Sequence, residues 1–292
     1  MNRTILKVLN TSFISLIPKQ GISQTPDKFR PIALCNVVYK IISKVIANRL
    51  KPLLPTLVSV DQTCYVEVRQ ILNNIIQVHE VVHSLLSNKK AGMIVQLDIA
   101  KAYDKLNWNY IRKVLLAFGF DHNWVRWVMA LVTSSSFSIL VNGSPSKTFK
   151  PLRGLRQADP LSPFLFIFIM EGLSWSIKHS KEVGTIQGLR LSETKQALTH
   201  QQFVDDTMLQ GISTIKEALA YKQILCDFAM AAGTKVSLSE SMIFFNTNIA
   251  IQRNISKIPG FQRDVLPSKY LGVPLTNKPL HKSIWEPVIN KM

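Results

Sequence analysis

Two adjacent acids in the stretch FVDDT, residues 203–207, decide how this sequence is interpreted. The surrounding pattern predicts two short strands joined by a tight turn that carries Asp205 and Asp206. A third acid, Asp98, follows the apolar run 93–97, which is predicted to be a buried strand. Both segments can therefore present carboxylates at one edge of a sheet.

Carboxylates placed so close together repel each other unless cations lie between them. A pair of Mg²⁺ ions about 3.5–4 Å apart, held by carboxylates and by substrate phosphates, supports in-line phosphoryl transfer. The alternative interpretation is that Asp98 caps the following turn and that Asp205 and Asp206 only form a bend. Spacing alone favours this second interpretation.

Composition limits the class of protein. The chain has 292 residues, of which 47% are hydrophobic and 18% charged, so it can bury a sizeable core and cannot be mostly disordered. No apolar run reaches the roughly 18 residues of a membrane span. Thirty-five Lys and Arg against eighteen Asp and Glu leave a net charge of +17, which makes nucleic acid the leading partner. Cys35, Cys64 and Cys226 are widely spaced and predict neither a disulfide framework nor a cysteine zinc site.

Predicted helices and strands are interspersed along the chain, which indicates an α+β fold. Strands are predicted at 93–97 and within 203–210, and 137–141 is predicted to be one arm of a hairpin turned by Asn142-Gly143. The predicted helices lie at 37–50, 69–87 and 161–178, after the caps Asn107 and Asp121, and from the Thr214-x-x-Glu217 capping box to about Gly233.

Six motifs in order resemble the reverse transcriptases of plant LINE-type (non-LTR) retrotransposons. They are LIPK (16–19), FRPIALCNVVYKIISKVIANRL (29–50), LDIAKAYDKLNW (97–108), GLRQADPLSP (154–163), FVDDT (203–207) and YLGVPL (270–275). The resemblance implies a right-hand polymerase in which an antiparallel palm sheet packs on helices. It also implies fingers at 1–90, a palm at 91–262 with a fingers-like insertion at about 107–150, and a primer-grip region at 263–292. We expect a fragment of a longer protein, with the thumb largely missing.

The resemblance implies an RNA-directed DNA polymerase that transfers nucleotides to a primer 3′-hydroxyl. Asp98, Asp205 and Asp206 would be catalytic and would hold two Mg²⁺ ions, with Mn²⁺ as a possible substitute, and the peptide oxygen of Ile99 would complete one ion's ligands. An RNA template, a DNA primer and deoxynucleoside triphosphates would be the partners. No membrane is expected, and no protein partner is indicated.

The resemblance also assigns substrate contacts. Tyr103 matches the gate against a ribose 2′-hydroxyl, and Gln157 matches the residue that lies against the nucleotide. The basic finger positions Arg30 and Lys40 would meet the triphosphate, although a solvated basic face would explain them equally well. The expected nucleic-acid contacts are Arg153, Arg156, Tyr270, Leu271 and Gly272.

Several positions depart from the family pattern. Ala158 stands where the family has Gly, and Glu67-Val68-Arg69 replaces a Pro-Gly-Arg turn. Gln201 and Gln202 replace apolar residues, and strand alternation predicts that one of them points inward. Ser237 and Glu240 stand where the family prefers Asn and Lys. The departures favour an alternative function, a catalytically degenerate remnant that only binds nucleic acid.

A zinc metallopeptidase is the third and weakest interpretation. His79-Glu80-Val-Val-His83 satisfies H-E-x-x-H within a predicted helix, but the third ligand of that motif does not follow. Localisation is implied by the family alone, as nuclear or cytoplasmic. The basic, acid-free residues 1–26 imitate a transit peptide and leave a mitochondrial location open, although LIPK assigns this segment to the fingers.

Overall fold

Helices and strands are interspersed in the computed structural model, as the sequence predicts. It describes residues 7–19, 25–87, 91–192, 196–237, 241–258, 262–263, 266, 268–276 and 286. The helices are α1 (Val37–Leu50), α2 (Leu54–Leu57), α3 (Ile71–Ser87), α4 (Trp108–Ala117), α5 (His122–Thr133), α6 (Ser162–Glu182), α7 (Ile215–Ala232) and α8 (Ile249–Lys257). The strands are β1 (Thr11–Pro18), β2 (Phe29–Leu34), β3 (Gly92–Leu97), β4 (Ser136–Val141), β5 (Ser144–Pro145), β6 (His200–Phe203), β7 (Asp206–Gly211), β8 (Met242–Asn246), β9 (Gln262–Arg263), β10 (Ser268–Tyr270) and β11 (Val273–Leu275).

The chain divides into two units. Unit 1 combines residues 1–57, 101–169 and 231–234, and unit 2 combines 58–100, 170–230 and 235–292. The chain passes between these units several times, and the expected fingers, palm and primer-grip segments stay predictions.

The first unit contains a four-stranded sheet in the order β2-β1-β4-β5, in which β1 pairs antiparallel with β2 and parallel with β4. Val141 pairs with Ser144 across the turn Asn142-Gly143, where both φ angles are positive. This is the predicted hairpin. The predicted caps are also present, since the side chain of Asn107 accepts a hydrogen bond from the N–H of Asn109 and Asp121 accepts from Asn123.

The second unit is built around a five-stranded sheet in the order β6-β7-β3-β8-β9. All neighbouring strands are antiparallel except β8 and β9. The central strand β3 is buried at every position except Gln96, which is partly buried, and this explains its largely apolar sequence. Its Ile94 belongs to a core cluster with Val78 and Val82 of α3, Met208 of β7 and Phe244 of β8.

The first half of helix α6 is apolar on all sides because it is buried on all sides. Every residue from Leu165 to Met170 is almost completely excluded from solvent. The longest apolar run of the sequence is therefore a core helix. Among the described residues, no helix is both long enough and apolar enough to cross a membrane.

Helix α1 has the predicted bounds but exposes most of the residues whose spacing predicts it. Val38, Ile41 and Val45 are exposed, whereas Tyr39 and Ser43 are buried. The helical period of a sequence identifies residues that share a face, and it does not tell which face other elements cover.

Strand β6 corrects the expectation for the two glutamines. Gln201 and Gln202 are both buried, because this sheet is covered on both faces at that strand. Gln201 Oε1 accepts a hydrogen bond from Gln210 Nε2, and Gln202 Oε1 accepts one from the hydroxyl of Ser174. The Nε2 atom of each glutamine has no partner among the described residues.

Candidate active site

The sheet of unit 2 places the backbones of the predicted acids at neighbouring positions. Leu97 pairs with Thr207 across β3 and β7, and extending this register by one residue sets Asp98 opposite Asp206. Side chains directly opposite each other on antiparallel strands lie about 5 Å apart at their Cβ atoms. Phe203 pairs with Asp206, so the β6–β7 turn consists of Val204 and Asp205. The predicted turn is therefore shifted by one residue, and Asp206 is the first residue of β7.

The turn has an unusual backbone conformation. Val204 has a φ angle of +58°, a region that β-branched residues rarely occupy. Gln62 supports it from the side, because its Oε1 accepts hydrogen bonds from the N–H of Val204 at 3.2 Å and from the N–H of Cys64 at 3.1 Å. Gln62 is fully buried, so its position is determined by packing as well as by these bonds. Strain held in place by surrounding contacts is typical of functional sites.

The loop that contains Gln62 is anchored at both sides. Its backbone pairs with β6, since the N–H of Gln202 donates to the carbonyl of Asp61 at 2.8 Å and the N–H of Thr63 donates to the carbonyl of Gln202 at 3.2 Å. The guanidinium of Arg69 donates to the carbonyls of Val58, Ser59 and Gln62 at 3.1, 2.5 and 2.6 Å. Loop 58–69 therefore supports the turn of Val204 and Asp205, which we name the aspartate turn.

Sequence reasoning did not identify Gln62 or Arg69 as part of the site. Gln62 has no local signal, because its partner Val204 is 142 residues away. Arg69 follows the dipeptide Glu67-Val68, which departs from the family turn. That departure is the one sequence feature that draws attention to this position.

The electrostatics of the turn indicate an affinity for cations. Desolvation, followed by the neighbouring Asp205, raises the pKa of Asp206 to about 6. Burial also raises the pKa of Asp205 above its usual range. Both shifts mean that the two negative charges are unfavourable without compensation, and a bound cation would provide it.

The backbone around Asp98 is held by the segment that follows α7. The N–H of Asp98 donates to Ser241 Oγ at 3.0 Å, and the N–H of Ser237 donates to the carbonyl of Asp98 at 2.9 Å. Ile99 is buried and forms an antiparallel bridge with Val236. Ser237, one of the departures, therefore contacts the site through its backbone, and Glu240 lies outside the described residues.

The expected nucleotide-binding residues belong to unit 1. The ring of Tyr103 stacks on Phe166 with centroids 4.8 Å apart. Gln157 Nε2 donates to Asp104 Oδ1 at 3.2 Å, and its carbonyl accepts from the N–H of Ala33 in β2 at 3.1 Å. These contacts tie the GLRQADPLSP segment to the first sheet.

Arg30 and Lys40 are both exposed, on β2 and α1 respectively. Their side chains are accessible to a polyanion, and neither forms an ion pair within the described part of the chain.

The structure corrects the role expected of Arg156. Its side chain is only 7% exposed, its guanidinium lies 3.8 Å from the centre of the Tyr39 ring, and its Nη2 donates to the carbonyl of Leu131. A guanidinium buried in this way supports the fold and cannot reach a phosphate backbone. Arg153 is exposed, and its expected role stays a prediction.

The structure likewise corrects the role of Tyr270. It is 2% exposed and belongs to the core cluster of unit 2. Only the turn between β10 and β11 remains available for a nucleic acid. That turn consists of Leu271 and Gly272, with φ angles of +49° and +83°.

Two of the departures occupy left-handed backbone, which glycine adopts without a steric penalty. Ala158 has a φ angle of +71° and Val68 has one of +69°. Left-handed backbone costs roughly 1–2 kcal/mol for a residue with a Cβ atom. Both positions therefore carry strained backbone.

The zinc motif does not form a metal site among the described residues. His79 and His83 lie in α3, where His83 Nε2 contacts Ser87 Oγ at 3.2 Å. No group of three potential His, Cys, Asp or Glu ligands occurs in the part of the chain that the structure describes. Nothing therefore supports the metallopeptidase interpretation.

Comparison with known families gives a match over most of the chain. The family model described as reverse transcriptase (RNA-dependent DNA polymerase) matches residues 17–275. The 149 kDa protein of transposon TX1 from Xenopus laevis is 25% identical over 269 residues, which are 90% of this chain and 20% of that protein. The Pol polyprotein of the retrotransposable element R2DM from Drosophila melanogaster is 28% identical over 223 residues, 76% of this chain and 20% of that protein.

A shorter match is found with an uncharacterized mitochondrial protein of Arabidopsis thaliana, which is 44% identical over 68 residues, 23% of this chain and 56% of that protein. The chain thus spans only a fraction of the curated relatives that it matches.

Solved structures share the fold. Telomerase from Candida albicans, in complex with a fragment of telomeric RNA, aligns with a TM-score of 0.60 at 12% identity and covers 92% of this chain and 44% of its own. Apo telomerase from Candida tropicalis aligns with a TM-score of 0.57 at 13% identity and covers 81% of this chain and 45% of its own. The α+β polymerase fold expected from the sequence is confirmed.

Proposed function

The chain belongs to the reverse transcriptase (RNA-dependent DNA polymerase) family, and on this basis we propose that it extends a DNA primer on an RNA template. The observation that carries the proposal is the register of the second sheet, which sets Asp98 opposite Asp206 beside Asp205. Its relatives include retrotransposable elements of the non-LTR class. In this assignment residues 1–90 would be the fingers and residues 91–262 the palm.

The three aspartates are proposed to bind the divalent ions that such a reaction uses, although no group of three metal-ligating side chains is already assembled among the described residues. The three carboxylates supply only oxygen ligands, which Mg²⁺ prefers, and the raised pKa values of Asp205 and Asp206 support a need for positive charge there. Asp98, Asp205 and Asp206 would hold the ions, with the peptide oxygen of Ile99 as a further ligand. Two bound ions would lower the pKa of the primer hydroxyl and neutralise the charge of the triphosphate and the leaving pyrophosphate.

The remaining residues orient the substrates. Tyr103 is held by Phe166, so its ring has a defined position from which it can exclude a 2′-hydroxyl. Gln157 is held by Asp104 and is proposed to lie against the incoming deoxynucleotide. Exposed Arg30, Lys40 and Arg153 supply positive charge for phosphates.

A second candidate function is supported by the strained and unpaired positions. Ala158 and Val68 carry left-handed backbone, and the Nε2 atoms of Gln201 and Gln202 lack partners within the described chain. These features favour a domain that still binds nucleic acid but polymerises weakly or not at all. The plant origin implied by the motifs stays a prediction, since the curated relatives that cover most of the chain come from animals.

Primer extension tests both candidates. The purified chain is incubated with an RNA template, a labelled DNA primer, deoxynucleotides and Mg²⁺, and template binding is measured separately by fluorescence anisotropy. We expect extension by the parent and none by Asp205→Asn, because the amide keeps the shape of the side chain but loses the charge. Binding should be nearly equal for both proteins. Extension by the variant at more than a small fraction of the parent rate would contradict the assignment, and binding without extension by either protein would support the remnant.

A further inference from the structure

Tyr65 is an exposed aromatic residue of loop 58–69. Its φ angle is +59°, a conformation that is an outlier for a residue with a bulky side chain. The residue is 49% exposed, whereas its neighbour Cys64 is buried. A ring that only filled the core would be covered, and strained backbone held by surrounding contacts is typical of functional positions.

The loop runs alongside strand β6 toward the aspartate turn. Gln62 and Gln202 form a parallel bridge. Two residues further along each segment, the N–H groups of Cys64 and Val204 both donate to the same atom, Gln62 Oε1. The two segments therefore lie side by side, in the same direction, as far as Cys64 and Val204.

Tyr65 and Asp205 are the next residues of these two segments. Burial raises the pKa of the Cys64 thiol to about 12, a backbone hydrogen bond with Tyr65 lowers it, and the charge of Asp205 adds to the increase. Burial, followed by the Cys64 thiol, also raises the pKa of Tyr65. The thiol thus interacts with both residues, which agrees with the neighbouring positions that the backbone gives them.

The backbone that carries Tyr65 is fixed before any ligand binds. The guanidinium of Arg69 donates to three carbonyls of the loop, and buried Gln62 connects the loop to the aspartate turn. A ligand that covers the ring therefore has little loop ordering to compensate, which favours binding.

A flat, exposed ring beside the aspartate turn suits a nucleic-acid base. Stacking on an aromatic ring tolerates any base, because every base has a π-face. A protein segment placed on Tyr65 would also cover Asp205, where the proposed reaction takes place. The incoming nucleotide already has Tyr103 and Gln157 as its proposed contacts, and both belong to unit 1. The nucleotide that remains for Tyr65 is the one that carries the attacking 3′-hydroxyl.

We propose that the ring of Tyr65 stacks on the base of the primer's 3′-terminal nucleotide and thereby holds the 3′-hydroxyl at the aspartate turn. This inference rests on the proposed function, since it uses the position assigned to the primer hydroxyl. It adds a primer contact in unit 2 to those expected at Leu271 and Gly272.

Binding to primers with and without a terminal base tests the inference. A DNA primer on an RNA template ends either in a normal 3′-nucleotide or in an abasic one, and fluorescence anisotropy measures affinity with Mg²⁺ and without nucleotides. We expect the parent to prefer the normal end at least about fivefold, and Tyr65→Ala to lose most of this preference. Alanine keeps the Cβ atom and hence the backbone strain, so the two proteins differ only in the ring. Tyr65→Phe should retain the preference, because stacking needs the ring and not the hydroxyl.

Val68→Ala is the matched control, because Val68 has a φ angle of +69° in the same loop and is 92% exposed. It should keep the preference of the parent. An abasic nucleotide placed about six positions upstream should affect parent and variants alike. The inference would be overturned if the parent showed no preference for the normal end or if Tyr65→Ala kept it. It would also be overturned if Tyr65→Phe or Val68→Ala lost the preference as Tyr65→Ala does.

Extension assays on the same complexes separate this inference from the proposed function. Asp205→Asn should stop extension but keep the preference for the normal end, because Tyr65 is unchanged. A parent that prefers the normal end without extending it would contradict the polymerase assignment and support the contact. A parent that extends the primer while Tyr65→Ala keeps the full preference would overturn the contact alone.

Discussion

Single residues with unfavourable backbone angles are the clearest sites for a stability test. Ala158 and Val68 both occupy left-handed backbone, and both are exposed. Glycine adopts this conformation without a steric penalty but gains freedom in the unfolded chain, so the two effects partly cancel.

We expect Ala158→Gly and Val68→Gly each to raise the free energy of unfolding by about 1 kcal/mol. The measurement is the urea midpoint at constant slope. Val60→Gly is the matched control, because Val60 is an exposed valine of the same loop without a positive φ, and it should destabilise. Glycine variants that lower the midpoint at 68 and 158 would show that these side chains suit their positions.

Tyr103 offers a test of substrate selection at the residue scale. Its ring is fixed against Phe166, so removing it should leave room for a 2′-hydroxyl. We expect Tyr103→Ala to lower the preference for deoxynucleotides over ribonucleotides by at least about tenfold. The ratio of kcat/KM values for the two substrates gives the answer, and Tyr103→Phe serves as the control that keeps the ring. An unchanged ratio would make Tyr103 an ordinary packed aromatic residue.

At the scale of elements, the β6–β7 turn depends on a loop that belongs to another part of the chain. Gln62 accepts a hydrogen bond from the turn residue Val204, and Arg69 holds the loop by three carbonyls. The position of Asp205 is therefore determined by contacts across more than a hundred residues of sequence.

We expect Gln62→Ala to raise the Mg²⁺ concentration needed for half-maximal extension while primer–template affinity stays nearly constant. The reason is that the turn loses an acceptor for Val204 and can relax away from its strained angle. Gln210→Ala is the control, because Gln210 is equally buried in β7 but bonds only to Gln201 through its side chain. Both variants should lose stability. A similar increase in the Mg²⁺ concentration for half-maximal extension in both would refute a positioning role for Gln62.

Strand β6 also contains a buried histidine. Burial lowers the pKa of His200 to about 4, and its ring nitrogens contact the hydroxyls of Thr199 and Ser174 at 3.0 Å. A folded pKa below the unfolded value of about 6.5 stabilises the fold above pH 6.5 and loses that contribution as the pH falls toward 4.

We therefore expect the parent to lose about 2 kcal/mol of stability between pH 7 and pH 5 through this group. His200→Gln, which cannot be protonated, should lack this part of the acid sensitivity even if it is less stable at pH 7. Denaturation at both pH values measures the difference between the two proteins. Equal pH dependence for parent and variant would mean that His200 retains an ordinary pKa.

For the whole molecule, the net charge of +17 governs its interaction with nucleic acid. Binding that depends on phosphate contacts weakens steeply with salt, because each neutralised phosphate releases counterions. The positions of individual arginines decide which of them contribute to this effect.

We expect primer–template affinity to fall at least about tenfold between 50 and 200 mM salt. Arg153→Gln should reduce the slope of log affinity against log salt by somewhat less than one unit. Arg156→Gln should leave the slope unchanged and lower stability instead, since its guanidinium is buried over Tyr39. A reduced slope for Arg156→Gln would restore the nucleic-acid role expected from its sequence.

The sequence by itself determined the local features of this protein and its family. The cap at Asn107, the turn at Asn142-Gly143 and the buried strand β3 each depend on neighbouring residues, so a short window contains the whole signal. The motifs around the three aspartates likewise indicate the family, because their residues and their order can be identified from the sequence without knowledge of the fold.

Only the tertiary structure decided which surfaces are covered. It buried Arg156 and Tyr270, exposed the apolar side of α1, and brought Gln62 to the aspartate turn. Burial is determined by what packs against a residue, and the packing partner is usually distant in sequence. A charged residue or an apolar period therefore predicts which contacts would be favourable. The fold determines whether the side chain faces solvent, substrate or the core.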